Sequence, residues 1–253
     1  MVAGAYRRYF NGAQGRHVRL FQGIFPDFET AAAAVPSGWR SGYDNEASAR
    51  RVIDEWLGVY PNDYPVMFWL SKVLPECRLL FDWGGNVGLK YFAYRKYLSY
   101  PASMTWLVND VPAVVEFGLA NALRESPGNL RFSTSLDEIP SADVLLAAGV
   151  LHFIDDPFGL LRSFERLPKH LILSKVPAYA SPSAWTVHNM GTAMCPYHLF
   201  NRDELVGAIE DLGYALIDEW KFPDVSCSIP FFPEKSVTAY SGFYFSKRAG
   251  DAT

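Results

Sequence analysis

The sequence is poor in cysteine, has no cluster of basic residues and contains no long apolar run. Its three cysteines, Cys77, Cys195 and Cys227, lie far apart and form no CxxC motif. This pattern argues against a disulfide framework and a zinc site, and it fits the reducing cytoplasm. The polar N-terminal segment is unlike a signal peptide, and no apolar run has the length of a membrane span. We therefore expect a soluble, cytoplasmic protein.

The charge balance makes nucleic acid a poor candidate as a partner. The 253 residues carry a net charge of −4 and show no stripe of lysine or arginine that could neutralise a phosphate backbone. A small organic molecule is compatible with this charge. The 15% of aromatic residues would suit a pocket for such a molecule, although aromatic residues more often serve ordinary packing.

The length and the 49% of hydrophobic residues allow one large α/β domain with a modest cap. Residues 1–45 show weak periodicity, which predicts an irregular arm with short helical pieces. Apolar residues recur at helical spacing from Ser48 to Tyr60, and this predicts a helix. We expect an N-terminal arm and helical cap over 1–75 and a main domain over 76–253. Aromatic-rich arms are often dimer contacts, so a homodimer is one of the assemblies that the sequence allows.

From residue 78 onwards, short apolar runs alternate with helical patterns. Such alternation requires a parallel sheet with helices on both faces. Two final apolar runs have no helix between them and predict an antiparallel hairpin at one edge, so the expected fold is α/β with a mostly parallel seven-stranded sheet. The predicted strands are 79–81, 105–108, 130–133, 143–148, 170–176, 214–220 and 238–246.

A glycine-rich loop follows the first of these strands and opens a helix. It contains Asp82, Gly84, Gly85, Asn86 and Gly88. Glycines let a backbone approach a ligand closely, and a helix N-terminus attracts a carboxylate. The loop lacks the G-x-G-x-x-G pattern that cradles a pyrophosphate. It is close to D-x-G-x-G-x-G, with Asn86 in place of the middle glycine; asparagine tolerates the left-handed backbone that this place requires.

A second acidic residue, Asp110, stands at the end of the second predicted strand. Carboxyl ends of parallel strands meet at one edge of the sheet, so Asp110 is expected near the glycine loop. A carboxylate there is a bidentate acceptor for the two hydroxyls of a ribose. Capping the helix that begins near Pro112 is an alternative role, and one carboxylate can serve both.

Residues 149–157, GVLHFIDDP, lie between an apolar strand and a helix. This segment resembles the turn after the fourth strand of class I S-adenosylmethionine-dependent methyltransferases. With the glycine loop and Asp110 in the same order and spacing, it makes residues 78–246 similar to that family. The resemblance implies a Rossmann-like fold and S-adenosyl-L-methionine as cofactor. It also implies that Val111, Leu136 and Ala148 border the cofactor.

The whole chain also resembles a poorly characterised family of methyltransferases often associated with surface-polysaccharide clusters. The stretches GIFPDFETA (23–31) and HNMGTAMCPYHLFNRDEL (188–205) carry this likeness. It implies, weakly, a glycan or glycan-precursor acceptor.

His152 is the candidate general base. The segment Asn109-Asp110-Val111-Pro112 resembles a segment of small-molecule O-methyltransferases in which a histidine after the fourth strand takes the acceptor's proton, and His152 falls at the matching place. Imidazole suits this task because its pKa lies near neutral pH. Two alternatives stay open: His152 only shapes the pocket, or the reaction proceeds by alignment alone.

Further polar residues lie after the fifth predicted strand, where an acceptor would enter. His188 and Asn189 fall in a predicted loop, and polar loop residues are often functional. His198 precedes the capping-box pattern that starts at Asn201 and is either a substrate contact or a packing residue. We expect these three residues to bind substrate. No metal ligands are predicted, since Asp156 before a proline is explained as a helix cap.

Methyl transfer to a small-molecule or glycan-type acceptor, with oxygen favoured as the methylated atom, is therefore the predicted function. Two other classes remain open at this point. A nicotinamide-dependent oxidoreductase would need a pyrophosphate loop that the sequence does not show. A non-catalytic module with the same fold would bind the cofactor without turnover, and a binding motif alone does not exclude it.

Overall fold

The computed structural model describes residues 3–15, 18–39, 42–50, 58–122 and 128–248. Helices cover 3–12, 28–34, 64–73, 89–94, 112–122, 157–162 and 202–210, and residues 46–50 are also helical. The predicted helix from Ser48 to Tyr60 falls largely on residues 51–57, outside the described ranges. None of the described helices is both long and apolar enough to cross a bilayer. In chain order, the strands are β1 (Leu20–Phe25), β2 (Leu79–Trp83), β3 (Thr105–Asn109), β4 (Leu130–Ser133), β5 (Val144–Ala148), β6 (His170–Val176), β7 (Ala178–Tyr179), β8 (Ala184–Asn189), β9 (Met194–Asn201), β10 (Tyr214–Phe222) and β11 (Tyr240–Lys247).

The main sheet has seven strands in the order β10-β11-β6-β5-β2-β3-β4. Strands β4, β3, β2, β5 and β6 are parallel, and β11 pairs antiparallel with both β6 and β10. The predicted parallel sheet with an antiparallel edge hairpin is therefore confirmed. The chain starts the sheet at β2, adds β3 and β4 on one side, and then crosses to β5 and β6 on the other. This reversal leaves a crevice at the carboxyl ends of β2 and β5.

Both faces of the main sheet are covered, which is why its central strands are apolar at nearly every position. Alternate residues point to opposite faces. Leu80, Trp106 and Leu146 pack with the helices at 64–73 and 89–94. On the other face, Leu145 and Leu171 pack with the helices at 157–162 and 202–210. The sheet is thus held rigidly between two apolar layers, and its strand ends are fixed relative to one another.

A second sheet, which the sequence pattern did not predict, forms the cap. Its strand order is β1-β8-β9-β7. Strand β1 comes from the segment expected to be an irregular arm, and β8 includes His188 and Asn189, which were expected in a loop. Both expectations are wrong because the pairing is long-range: Phe21 pairs with His188. The cap is therefore built jointly by the N-terminal segment and residues 178–201.

Buried hydrogen bonds fasten the N-terminal helix 3–12 to this cap. The Asn189 side chain donates from Nδ2 to the carbonyls of Phe10 (2.6 Å) and Ala13 (3.0 Å). Its Oδ1 accepts from the backbone N–H of Gly191 at 2.7 Å. The Tyr6 hydroxyl donates to the carbonyl of Phe21 at 2.8 Å. Every polar atom of the Asn189 side chain is used inside the protein, which identifies it as a structural link.

We expect Asn189→Ala to lower the free energy of unfolding by about 1–3 kcal/mol, the cost of leaving buried polar groups without partners. Chemical denaturation measures this change. Amide hydrogen exchange should also quicken in residues 3–12, because their anchor to β8 is lost.

The matched control is Asn121→Ala. Asn121 is exposed and donates only within its own helix, to the carbonyl of Phe117. Its replacement should change the free energy of unfolding by less than about 0.5 kcal/mol. Equal effects of the two substitutions would contradict the structural role of Asn189.

Candidate active site

The loop after β2 follows a left-handed backbone at three alternate residues. The φ angles are +66° at Gly84, +55° at Asn86 and +83° at Gly88. The prediction that Asn86 takes the left-handed conformation is confirmed. A Cβ at Gly84 would lie 2.4 Å from the Val150 side chain, so only glycine fits there. The loop thus passes tightly under the segment that follows β5, at the crevice between the two strands.

Asp82 lies beneath this loop, fully buried at the end of β2. Its Oδ2 accepts a hydrogen bond from Nε1 of Trp106 at 2.9 Å, whereas its Oδ1 has no hydrogen-bond partner among the described residues. Burial raises the pKa of the carboxyl to about 7, and the Trp106 hydrogen bond opposes this rise. A Cβ at Gly85 would lie 2.5 Å from the carboxyl carbon. The glycine therefore leaves the room that the carboxylate occupies.

Asp110 ties the loop to the end of β3. Its Oδ2 accepts from the backbone N–H of Asn86 at 2.9 Å, and its Oδ1 accepts from the N–H of Val111 at 2.8 Å. Burial raises the pKa of Asp110 to about 6, against the lowering effect of these two hydrogen bonds. Each oxygen keeps a lone pair for a further donor. Because Asp110 also lines a cavity at the crevice, that donor can belong to a ligand.

A cavity of about 860 Å³ lies at the crevice, between the main sheet and the cap. Gly84, Asp110 and Val111, three of the predicted cofactor contacts, line it from the main sheet. The cap contributes apolar side chains, among them Phe28, Met190 and Met194. A mostly apolar cavity with a few placed polar groups is the usual form of a small-molecule site. We call it the apolar cavity.

A second cavity of about 270 Å³ adjoins the first and is lined by more polar groups. The two share Tyr43, Gly84, Asn86, Gly149 and Met190. We call it the polar cavity. Besides the shared residues, its walls include Arg19, Lys90, Ala148, His152, Lys175, His188, Tyr197 and Tyr240.

His152 stands in the wall of the polar cavity, just after β5. It is 5% exposed, and its ring centroid lies 4.2 Å from that of Tyr197. Its Nδ1 has no hydrogen-bond partner among the described residues. Burial, with smaller effects of Arg19 and His198, lowers its pKa to about 3. The ring is therefore neutral at pH 7 and offers a lone pair, but it is a weaker base than a free histidine.

The three predicted substrate contacts fall in different places. His188 lines the polar cavity, with its ring stacked on Phe21 at a centroid distance of 4.3 Å. His198 lines neither cavity; its ring packs between Trp185 (4.2 Å) and Phe200 (4.0 Å). Asn189 holds the N-terminal helix, as described above. Of these three residues, His188 alone lines one of the two cavities, and all three stay predicted substrate contacts.

Leu136, a predicted cofactor contact, is partly buried and packs against the apolar layer under the main sheet. It lines neither of the two cavities, and its contact with the cofactor stays a prediction. Gly85 and Gly88 also line neither cavity and act by shaping the loop. Asp156 caps the helix at 157–162, since its Oδ1 accepts from the N–H of Gly159 at 2.7 Å. The described residues contain no cluster of three metal-ligand side chains.

Lys175 is the main residue of the site that the sequence analysis missed. It lies near the carboxyl end of β6, in the wall of the polar cavity, and has a left-handed backbone with φ +56°. Its aliphatic chain lies over Gly149, where an added Cβ would sit 3.9 Å from the lysine Cδ. Burial lowers its pKa to about 8, and nearby Lys90 and Arg19 add to this effect. The position at a strand's carboxyl end was the available signal.

No protein-family model matches the chain. No curated protein matches it either. Solved structures do. The 1,6-didemethyltoxoflavin-N1-methyltransferase of Burkholderia thailandensis is 17% identical, with a TM-score of 0.54 over 81% of this chain and 84% of that chain. The N-terminal domain of EvdMO1 is 12% identical, with a TM-score of 0.53 over 75% of this chain and 84% of that chain.

At these identities the likeness concerns the fold. The chain therefore has the Rossmann-like fold of class I methyltransferases.

Proposed function

We propose that this chain is an S-adenosylmethionine-dependent methyltransferase that acts on a hydroxyl oxygen of a small-molecule or glycan-type acceptor. The observation that carries the proposal is the joint placement of Asp82, the glycine loop and Asp110 in one crevice. Two acids and a cramped left-handed loop are costly to fold, because they combine buried charge with a restricted backbone. Ligand binding is the function that explains their combination.

The residues present fit this cofactor. Asp82 has a buried oxygen without a hydrogen-bond partner among the described residues, and the loop above it has no side chain at Gly84 and Gly85. An ammonium group would satisfy that oxygen. Asp110 has a free lone pair on each oxygen for the two ribose hydroxyls. Val111 and the apolar walls of the cavity suit the flat adenine ring. Ala148, in the wall of the polar cavity, borders the reactive end.

Two of the similar structures support this assignment through what they contain. The Burkholderia enzyme was crystallised with S-adenosylhomocysteine and 1,6-didemethyltoxoflavin, and the EvdMO1 domain in the presence of S-adenosylhomocysteine and D-fucose. Both structures share the cofactor product, whereas their second ligands differ in chemistry. We therefore transfer the cofactor to this chain and argue the acceptor from this chain's own cavity.

When bound, S-adenosylmethionine supplies a methyl group on a positively charged sulfur. The protein's task is to align an acceptor with that methyl and to exclude water. The cap performs the exclusion: Tyr43 and Met190 line both cavities and close the crevice from outside. Gly149 borders both cavities, so the backbone after β5 adds no side chain at this place that could obstruct the way between them.

His152 is placed to take the proton of an acceptor hydroxyl. The ring is neutral, and its Nδ1 has no hydrogen-bond partner among the described residues, so this nitrogen can accept a proton. A hydroxyl, unlike an amine, must lose its proton when it is methylated. The low pKa of His152 reflects burial near positive charge. Loss of positive charge from a bound cofactor would make proton uptake by His152 less costly. Oxygen is the proposed target for this reason.

The first test is calorimetric titration of the purified protein with S-adenosylhomocysteine. We expect micromolar binding by the wild type. Asp110→Ala removes charge-assisted hydrogen bonds and should weaken binding by about 10- to 100-fold. Gly84→Ala should abolish binding, because its Cβ overlaps Val150.

Two control variants make the same types of substitution, aspartate to alanine and glycine to alanine, at positions outside the two cavities. Asp137 is exposed, and Gly207 has no atom within 4 Å of an added Cβ. Asp137→Ala and Gly207→Ala should leave affinity unchanged. A folded wild-type protein that does not bind S-adenosylhomocysteine would overturn the proposed function, and binding of NAD in its place would favour an oxidoreductase.

The affinity for S-adenosylhomocysteine should rise with pH between about pH 5 and pH 8. Binding favours the ionised carboxylates, and the free protein holds the pKa of Asp110 at about 6 and that of Asp82 at about 7. Below these values a proton must leave before the ligand binds, so affinity falls. Titration in buffers of different ionisation enthalpy measures the protons released. In Asp110→Asn the rise near pH 6 should disappear; an unchanged profile in this variant would contradict the assignment.

His152→Gln should lower kcat by about 10²- to 10⁴-fold, the range for loss of a general base, without changing the affinity for S-adenosylhomocysteine. Turnover is measured as the mass gain of one methyl group in a panel of phenols and sugars. His170→Gln is the control, since His170 is the first residue of β6 and lies at the end of the strand away from the crevice. An unchanged kcat in His152→Gln would leave this residue only a packing role.

A further inference from the structure

The two sides of the apolar cavity differ in chemistry. The main sheet contributes the carboxylate of Asp110 and the glycine loop. The cap and the segment after β5 contribute side chains of carbon and sulfur, among them Phe28, Ala32, Val35, Phe153, Met190 and Met194. We call these six residues the apolar wall. Among the described residues that line the cavity, the side chains with an N–H, O–H, S–H or carboxylate group are those of Tyr43, Asn86, Asp110 and Cys195.

These few polar side chains are already engaged. Asn86 donates from Nδ2 to the Tyr43 hydroxyl at 2.9 Å, and its Oδ1 accepts the N–H of Val87 at 2.9 Å. Asp110 holds the loop, and its remaining lone pairs are assigned to the ribose of the proposed cofactor. Burial raises the pKa of Cys195 to about 12, so its thiol stays neutral and is a weak donor. A ligand group that lies against the apolar wall therefore meets few side-chain partners for hydrogen bonds.

The cavity has room for a second ligand beside the proposed cofactor. A cofactor held by Asp110 and the glycine loop lies along the main-sheet side, and the apolar wall faces it from the cap. The cavity volume of about 860 Å³ is near the upper end of the range of about 300–1,000 Å³ that is usual for small-molecule sites. We therefore expect the body of the acceptor in the space between the cofactor and the apolar wall.

Buried hydrocarbon and unpaired hydroxyl groups change affinity in opposite directions at such a wall. Each buried CH₂ group strengthens binding by about fourfold. Each hydroxyl that leaves water without gaining a new partner weakens binding by about 5- to 150-fold. A sugar carries a hydroxyl on most of its carbon atoms, so the second effect dominates for a sugar. A hydrocarbon ring gains from the first effect alone.

Phe153 connects the apolar wall with the candidate base. It lines the apolar cavity, whereas its neighbour His152 lines the polar cavity, and the centroids of the two rings are 4.4 Å apart. Gly149 and Met190 border both cavities. A ring that lies against Phe153 can therefore place a hydroxyl on its edge beside His152, while its hydrocarbon part stays in the apolar cavity.

We propose that the methyl acceptor is an apolar ring compound with a hydroxyl group, and that its hydrocarbon body lies against the apolar wall. This inference rests on the proposed function, since it names the substrate class of the same site. It narrows the acceptor from small molecules and glycans in general to phenols and similar alcohols.

The test compares phenol, 4-propylphenol and glucose as probes. Each is titrated by calorimetry into protein saturated with S-adenosylhomocysteine. Phenol and 4-propylphenol carry the same hydroxyl, so the difference between them measures the contribution of the hydrocarbon body. We expect 4-propylphenol to bind with a stoichiometry of one and about tenfold or more tightly than phenol, because three further carbon atoms are buried. Glucose should show no saturable binding.

Ala32→Asp places a carboxylate in the apolar wall and should weaken the binding of 4-propylphenol by about tenfold or more. Ala34→Asp is the matched control. Ala34 is exposed on the same helix and lines neither cavity, so its replacement should leave this affinity unchanged. Phe28→Ala provides a second route without a new charge: it removes a half-buried ring from the wall and should also weaken 4-propylphenol binding.

Three results would overturn the inference. In the first, 4-propylphenol binds no more tightly than phenol, or glucose binds as tightly as 4-propylphenol. In the second, 4-propylphenol competes with S-adenosylhomocysteine, which would assign the apolar wall to the cofactor. In the third, Ala32→Asp and Ala34→Asp have equal effects. The affinity for S-adenosylhomocysteine is recorded in each protein, so failure of the acceptor inference is separated from failure of the proposed function.

Discussion

Parallel pairing of β2 with β3 on one side and β5 on the other is the constraint on which the site depends. Because all three strands run in the same direction, their carboxyl ends open on one crevice. The carbonyl of Asn109 accepts the N–H groups of Gly84 (2.8 Å) and Gly85 (3.3 Å), so the loop after β2 is held by the end of β3. The next residue, Asp110, strengthens this attachment, because its carboxylate accepts the N–H of Asn86 in the loop. Loop, acids and cavity are thus positioned by strand register.

The sequence was most informative where structure is determined locally. The parallel strands, the left-handed Asn86 and the position of Asp110 follow from short patterns and fixed spacings. The sheet of the cap could not be predicted from short patterns, because β1 and β8 are far apart in the sequence and stabilise each other only when they pair. His188 and Asn189 therefore looked like loop residues. Lys175 lies within the apolar run of β6, which predicts only a buried strand, although its place near the carboxyl end of that strand brings it to the crevice.

Charge divides the crevice into two halves. Asp110 lines the apolar cavity and Asp82 lies fully buried beneath the adjoining glycine loop, whereas Arg19 and Lys175 line the polar cavity. Both acids have pKa values raised above those of an unfolded chain, so their contribution to stability is present at low pH and declines as pH rises through about 6 and 7. The free protein is therefore weakened at neutral pH by the groups that recognise its ligand. A ligand that partners these acids would restore the lost stability.

The link between Asn189 and Phe10, which are 179 residues apart in sequence, has a consequence for biosynthesis. A chain leaves the ribosome in the order of its sequence, so the helix at 3–12 lacks its anchor from Asn189 until β8 has been made. Tyr6 and Phe10, both buried in the finished protein, share an apolar cluster with Trp185 and Val187 of β8 and complete their packing only then. Until that point the apolar side of this helix is partly uncovered and open to aggregation or to a chaperone.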